Sequence, residues 1–433
     1  MPESKSIEAP FDPRWLDSVA AGCSGLHLGT PRLLDLYLER RLELRVISPD
    51  GTVQLEENRS EGSAARWRFA SRTVLHARTG VSRSVLAELV GRYAPRLHLP
   101  ESRAVPPAEL DPPHSWREWA KELAERLRPC RPTVTYLARR AAIVRSGTWS
   151  TISTPDLVRV RLAGAVNGAL LAVWPHPELP RWLQELVSPP PRRTWLPPSG
   201  RELPVLFAAG TAGALVHELL GHLAESDLAA AGASPLVGLT GSCLAPATLE
   251  VTDDPTRFDL PGAFSCDDEG VPAQPQPLLR GGVLVGWLCD RIGAERLASV
   301  PGRGRRAAWS RPPTARLSNL VVDPGTTPVE TLVRDLRHGL LVTRVGGATV
   351  DPISARAVIR VERGFEVVRG RRTRALAPCA LTGGALELLS RIDATIGADP
   401  SPEWRLGWCV KGGSPMPTGS LAPTLLVHGL EVL

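Results

Sequence analysis

Gly213-Ala214-Leu215-Val216-His217-Glu218-Leu219-Leu220-Gly221-His222-Leu223-Ala224-Glu225-Ser226-Asp227 sets two histidines and a glutamate into a run that is otherwise almost wholly apolar. With Ala212, Leu215, Val216, Leu219 and Leu220 around them, the residues read as a buried helix. An unpaired imidazole and carboxylate would be costly there, because each loses its hydration and gains no partner. A metal ion removes that cost. Zinc takes neutral imidazole nitrogens at about 2 Å and, in catalytic sites, keeps one position open for water. A glutamate directly after the first ligand is the usual general base of helical zinc peptidases, taking a proton from water whose pKa the metal lowers.

The spacing is not that of a regular helix. Residues four apart lie about 40° apart around the axis, whereas five apart, as His217 and His222 are, gives about 140°. Either a π-type turn or a break at Gly221 must bring His222 back to the side of His217; glycine lowers the cost of such distortion. The expectation is an irregular helix. A third ligand is needed as well, and spacing does not choose among Cys23, Cys130, Cys243, Cys266, Cys289, Cys379 and Cys409. Their odd number and scattered positions argue against a disulfide framework.

Upstream, Ser188-Pro189-Pro190-Pro191 through Leu196-Pro197-Pro198-Ser199-Gly200 supports neither helix nor central strand, and it divides the chain into expected domains 1–195 and 196–433. The first half mixes signals. Residues 32–41 carry both helix and strand cues, and Pro49-Asp50-Gly51 predicts a hairpin between Leu42–Val46 and Val53–Leu55. Strands are expected at 73–77, 133–145, 157–162 and 169–174, with an amphipathic helix over 116–128. In the second half, Arg280-Gly281-Gly282 and Glu362-Arg363-Gly364 predict two further hairpins, and 385–396 predicts a helix. The class is α+β.

The composition excludes little by itself. No stretch reaches the roughly 18 consecutive apolar residues of a membrane helix. The polar start Met1-Pro2-Glu3-Ser4-Lys5 lacks an apolar h-region, so a cytoplasmic address is expected. A net charge of +6 invites a nucleic-acid reading, but only three of the 51 basic residues are lysine (Lys5, Lys121, Lys411) and the arginines run along the whole chain. Arg303-Gly304-Arg305-Arg306 is the densest cluster, and the twelve tryptophans form no stacking platform. Neither nucleic acid nor membrane is expected as a partner.

The quoted run resembles the TldD branch of the TldD/PmbA metallopeptidases, whose pattern is H-E-x-x-G-H-x-x-E-x-D. The resemblance extends through Asp267-Asp268-Glu269-Gly270, Arg316-Leu317-Ser318-Asn319 and Gly346-Gly347-Ala348-Thr349-Val350-Asp351. It ends at Cys409-Val410-Lys411-Gly412-Gly413, Pro417, Gly419 and Pro423-Thr424-Leu425, covering residues 205–433. It implies a two-domain α+β architecture with mixed and antiparallel sheets and an irregular metal-binding helix. It also implies Cys409 as third zinc ligand and Glu218 as catalytic base. Glu225, Asp227, Asp268 and Glu269 become candidates for orienting a ligand or touching substrate. The substrate would be an unstructured or modified peptide, and the partner a metal-free TldE/PmbA-like paralogue in a heterodimer, or a second copy in a homodimer. Leu219, Ser226, Val410 and Ser414 depart from the family pattern and mark a divergent branch with an altered substrate channel. They also motivate an alternative: a non-catalytic peptide-binding or maturation subunit.

Overall fold

The computed structural model describes residues 11–27, 32–48, 52–69, 72–93, 110–145, 147–189 and 191–433. These fall into two compact units. One lies within Met1–Ala165 and includes Phe264–Ala273 and Gly304–Thr314; the other is Val166–Ala263, Gln274–Arg303 and Ala315–Leu433.

In the first unit the mixed signal at 32–41 resolves as strand. Leu36, Leu38, Leu42, Leu44 and Val46 are buried at alternate positions, the period of a pleated chain and not of a helix. They belong to β1 (Arg32–Ile47), which pairs antiparallel with β2 (Gln54–Arg68) on one side and, across its other edge, with β4 (Pro132–Arg145). The turn expected at Pro49-Asp50-Gly51 lies outside the described residues. Strands β3 (Thr73–Thr79), β5 (Thr148–Ser153) and β6 (Leu157–Ala163) complete the order β3-β2-β1-β4-β6, with β5 also on β4. Helices α1 (Pro13–Cys23) and α2 (Arg83–Gly91) contribute Trp15, Leu16, Val19, Leu86 and Leu89 to a core with Leu36, Leu38 and Trp67. Helix α3 (His114–Arg126) buries Trp116, Ala120 and Leu123.

The second unit is built on a sheet that closes on itself. Strand β7 (Glu202–Phe207) pairs parallel with β8 (His338–Asp351) and antiparallel with β13 (Leu425–Val432); β13 pairs with β10 (Cys379–Gly384), β10 with β9 (Arg356–Val368), and β9 with β8. Between β10 and β13 stands the hairpin β11 (Trp408–Lys411) and β12 (Ser414–Pro417). The core gathers Val205, Phe207, Leu215, Leu219, Leu320, Val342, Ile359 and Leu425, all almost fully buried.

Two expectations are corrected here. Glu362-Arg363-Gly364 is not a turn: β9 runs straight through it. Gly364 serves packing instead, since a Cβ there would meet the Leu341 carbonyl oxygen at 2.5 Å. The helix at 385–396 stops at Ser390, and Ile392–Ile396 is a strand on β13. Two β-branched isoleucines that pack on the pleated sheet outweigh the helical periodicity before them. The hairpin at Arg280-Gly281-Gly282 is present, with both glycines at positive φ (55° and 72°). Among the described residues no helix is long and apolar enough to cross a membrane.

Candidate metal centre

Helix α4 (Thr211–Val216) follows Gly210 and is regular only to Val216. Then the backbone widens into a π turn over His217–Gly221, followed by a 3-10 turn over His222–Ala224. The His222 N–H donates to the His217 carbonyl, so one hydrogen bond spans the five-residue separation. Both imidazoles therefore face the same way, with ring centroids 4.8 Å apart and planes at 82°. Gly221 keeps ordinary helical angles (φ −57°, ψ −56°); what it provides is room, because a Cβ would meet Leu317 Cδ2 at 2.5 Å.

The hairpin β11–β12 delivers the third side chain. Its turn uses Gly412 and Gly413 at φ 55° and 72°, and Cys409 lies opposite Met416 in the register. The Cys409 sulfur is 3.3 Å from His222 Nε2, and the donor atoms of His217, His222 and Cys409 all lie within 4.8 Å of one another. Tetrahedral zinc with bonds of about 2.0–2.3 Å needs donors about 3.3–3.6 Å apart. Two imidazoles and a thiolate at this separation fit zinc with only small side-chain movement, and the thiolate disfavours calcium or magnesium.

The electrostatics suit a thiolate ligand. Burial pushes the Cys409 thiol up, but hydrogen bonds to His217 and His222 outweigh it and bring it down to about 5. Burial lowers His222, yet Glu225 and the sulfur raise it well above the usual imidazole range. Glu218 is 8% exposed, and burial raises its carboxyl, the direction that suits a proton acceptor working near neutral pH. It lines, with the three donors, a cavity of about 450 Å³.

Around the donors, a chain of charges aligns the ligands. Glu225 is fully buried; it faces His222 Nδ1 at 3.2 Å, accepts the Leu317 N–H at 3.2 Å and receives Lys411 Nζ at 2.7 Å. Lys411 also donates to Asp227 at 2.6 Å and to the Ala315 carbonyl at 3.2 Å, using all three of its hydrogens. Burial raises Glu225, but His222 and Lys411 prevail and hold it down at about 2. Arg316, 2% exposed, donates to the Cys409 carbonyl at 2.9 Å, to its sulfur at 3.4 Å and to the Ser414 carbonyl at 3.2 Å.

Of the residues singled out in the sequence, His217, Glu218, His222, Cys409, Glu225 and Asp227 come together here. Asp268 and Glu269 do not: they belong to the first unit, where Asp268 binds Arg139 and the Arg306 N–H, and Glu269 pairs with Arg66 at 2.7 Å. Sequence reasoning gave no role to Lys411 or Arg316. The scarcity of lysine was the available signal for Lys411, since three acceptors around one nitrogen suit an ammonium better than a planar guanidinium.

Residues 199–433 match the family model described as PmbA/TldA metallopeptidase C-terminal domain. The chain belongs to the PmbA/TldD metallopeptidase family. Among curated relatives, a "Metalloprotease TldD homolog" of Haemophilus influenzae is 29% identical over 232 residues, 53% of this chain and 48% of that protein. A "Metalloprotease" of Methanothermobacter thermautotrophicus is 32% identical over 238 residues, 54% of this chain and 51% of that protein. The matched region thus spans about half the length of these curated relatives. The fold is that of the crystal structure of TldE from Thermococcus kodakarensis, at a TM-score of 0.69 over 92% of this chain and 96% of that one, with 14% identity.

Proposed function

We propose that this chain is a zinc-dependent peptidase, with His217, His222 and Cys409 as zinc ligands and residues 196–433 as its metallopeptidase domain. The observation that carries the reading is the convergence of two imidazoles and a thiol, from elements almost 190 positions apart, beside a buried carboxylate on one cavity. When bound, zinc would lower the pKa of a water and polarise the scissile carbonyl. Glu218 accepts a proton from the attacking water and returns it to the leaving amine. Glu225 orients His222 through Nδ1, fixing its tautomer, while Lys411 and Arg316 hold the Cys409 hairpin.

An unstructured peptide fits the cavity wall. Strand β8 pairs with β7 only at Leu340–Val342; further along, among the described residues, it pairs only with β9. Its Gly346–Val350 segment lines the cavity and offers an open edge to which an extended peptide adds as a strand. Main-chain hydrogen bonds then carry binding, and little sequence selectivity is expected from the edge itself. A cytoplasmic address and a TldE/PmbA-like or identical partner belong to the same proposal.

The test is cleavage of unstructured peptides by the zinc-loaded chain, alone and with a TldE-like partner, against Glu218→Gln. The expected outcome is retained zinc and a rate lower by about 10²–10⁴-fold. Cleavage undiminished in the variant removes Glu218 as base; peptide binding with no cleavage in any form favours the non-catalytic maturation subunit.

A further inference from the structure

The same cavity holds a cation that the hydrolytic scheme does not use. In the β8–β9 ladder, Arg360 stands directly opposite Gly347. Its guanidinium lies across that glycine, since a Cβ built on Gly347 would meet Arg360 Nη2 at 2.2 Å. The side chain thus reaches from β9 over β8 toward the open edge. The neighbouring glycine has the same purpose with another outcome. Glu362 lies over Gly346, where a Cβ would meet its Oε1 at 2.4 Å, but Glu362 is bound by Arg344 at 2.9 Å and by Arg405 at 3.4 Å.

Arg360 is exposed and has no hydrogen-bond, ion-pair or ring partner among the described residues. Of the other charged groups on the cavity wall, Glu218 stands beside the metal donors as the proposed base, and Lys411 and Glu403 have partners. Lys411 is held by Glu225 and Asp227, and Glu403 accepts the Arg405 N–H at 2.8 Å. The wall therefore carries one cation without a counterion, beside the edge along which a peptide would pair.

We propose that Arg360 forms a carboxylate-binding subsite, selecting peptides that present an acidic group opposite Gly347. This rests on the sheet-edge reading above and deepens it. A strand added to β8 lies about 4.8 Å away, and a residue facing Gly347 puts its Cβ about 4.5–5.5 Å from the Cβ position of that glycine, which lies 2.2 Å from Arg360 Nη2. One or two further carbons bring a carboxylate within hydrogen-bonding distance. An aspartate or glutamate side chain spans the gap, and so does a C-terminal carboxylate when the peptide ends at that register. The planar guanidinium matches either one. Backbone pairing supplies general affinity, and Arg360 adds selectivity at one position.

The experiment uses short fluorescein-labelled peptides that differ only by glutamate or glutamine at successive positions, each with a free or an amidated C-terminus. Binding is measured by anisotropy to the full zinc-loaded chain carrying Glu218→Gln, so turnover does not enter. The expected result is an acid-over-amide preference of about fivefold at one position, shrinking as salt is raised. Arg360→Gln abolishes it and Arg360→Glu reverses it. If amidation alone removes the preference, the recognised group is the C-terminal carboxylate; if it does not, the group is a side chain. Equal binding of acid and amide peptides, or a preference that survives Arg360→Glu, overturns the subsite. Selective binding without cleavage by the parent chain leaves the subsite standing and removes the peptidase reading.

Discussion

Each unit of this molecule buries a polar cluster, and the two are organised in opposite ways. In the first unit, Asp35 accepts from Arg66 Nε at 2.8 Å and Arg306 Nη2 at 2.9 Å, while Glu39 accepts from Tyr37, Arg41 and Arg139 at 2.6–2.8 Å. Asp35 and Glu39 each face two arginines, and these charges close on themselves. In the second unit, two imidazoles and a thiol converge on a common point beside Glu218, and the cavity opens in front of them. The difference separates a network that fastens a fold from a cluster that waits for something else. Burial alone marks neither as a site; what does is whether the polar atoms already satisfy one another.

Removing one member should expose that contrast. Asp35→Ala leaves the buried Arg306 without its carboxylate and Arg66 with Glu269 alone, and the expected loss is about 3–5 kcal/mol in urea unfolding, with zinc content unchanged. An equal loss of zinc would make the two clusters one system.

Acid gives a smaller effect on the same network. Burial raises the Glu39 carboxyl, but Arg41 and Arg139 outweigh it and lower it from 4.5 to about 2. A depressed acid stabilises the fold above its unfolded pKa, so this contribution is present above pH 4.5 and is lost as pH falls toward 2. It amounts to about 3 kcal/mol. Unfolding measured between pH 6 and 3 should show the decline in the parent chain and a shallower one in Glu39→Gln.

The smallest expected effect lies in the second cluster. Lys411→Met removes the cation from Glu225, and zinc affinity should fall by about 10–100-fold in competition with a chromophoric chelator. Adding Glu225→Gln should cost little more if the two act as one chain; independent, additive losses would show that Lys411 acts elsewhere.

The legible part of this molecule was whatever short-range chemistry could encode. His217, Glu218 and His222 stand in one motif, and their five-residue spacing already demanded a distorted helix. Leu42–Val46 was legible as a strand before a turn, but residues 32–41 carried helix and strand cues together, and the burial of Leu36 and Leu38 in the same register decides them as part of β1 only in the fold. Cys409 was different. Nothing local distinguishes it from six other cysteines, and family resemblance alone pointed to it, because its meeting with His222 depends on a β-hairpin brought in from 187 positions away. The glycines misled for a related reason. Gly364 resembles a turn residue in sequence, but it answers to a contact with Leu341 that only the folded barrel creates. Arg360 gave no signal at all, since one arginine among so many gains meaning only from the glycine across the ladder.

Zinc K-edge X-ray absorption on the purified full chain tests the metal centre most directly. Two nitrogen neighbours at about 2.0 Å and one sulfur at about 2.3 Å, with the sulfur lost in Cys409→Ser, is the outcome this account predicts. A coordination shell without sulfur in the parent chain, or one unchanged by that substitution, would contradict it.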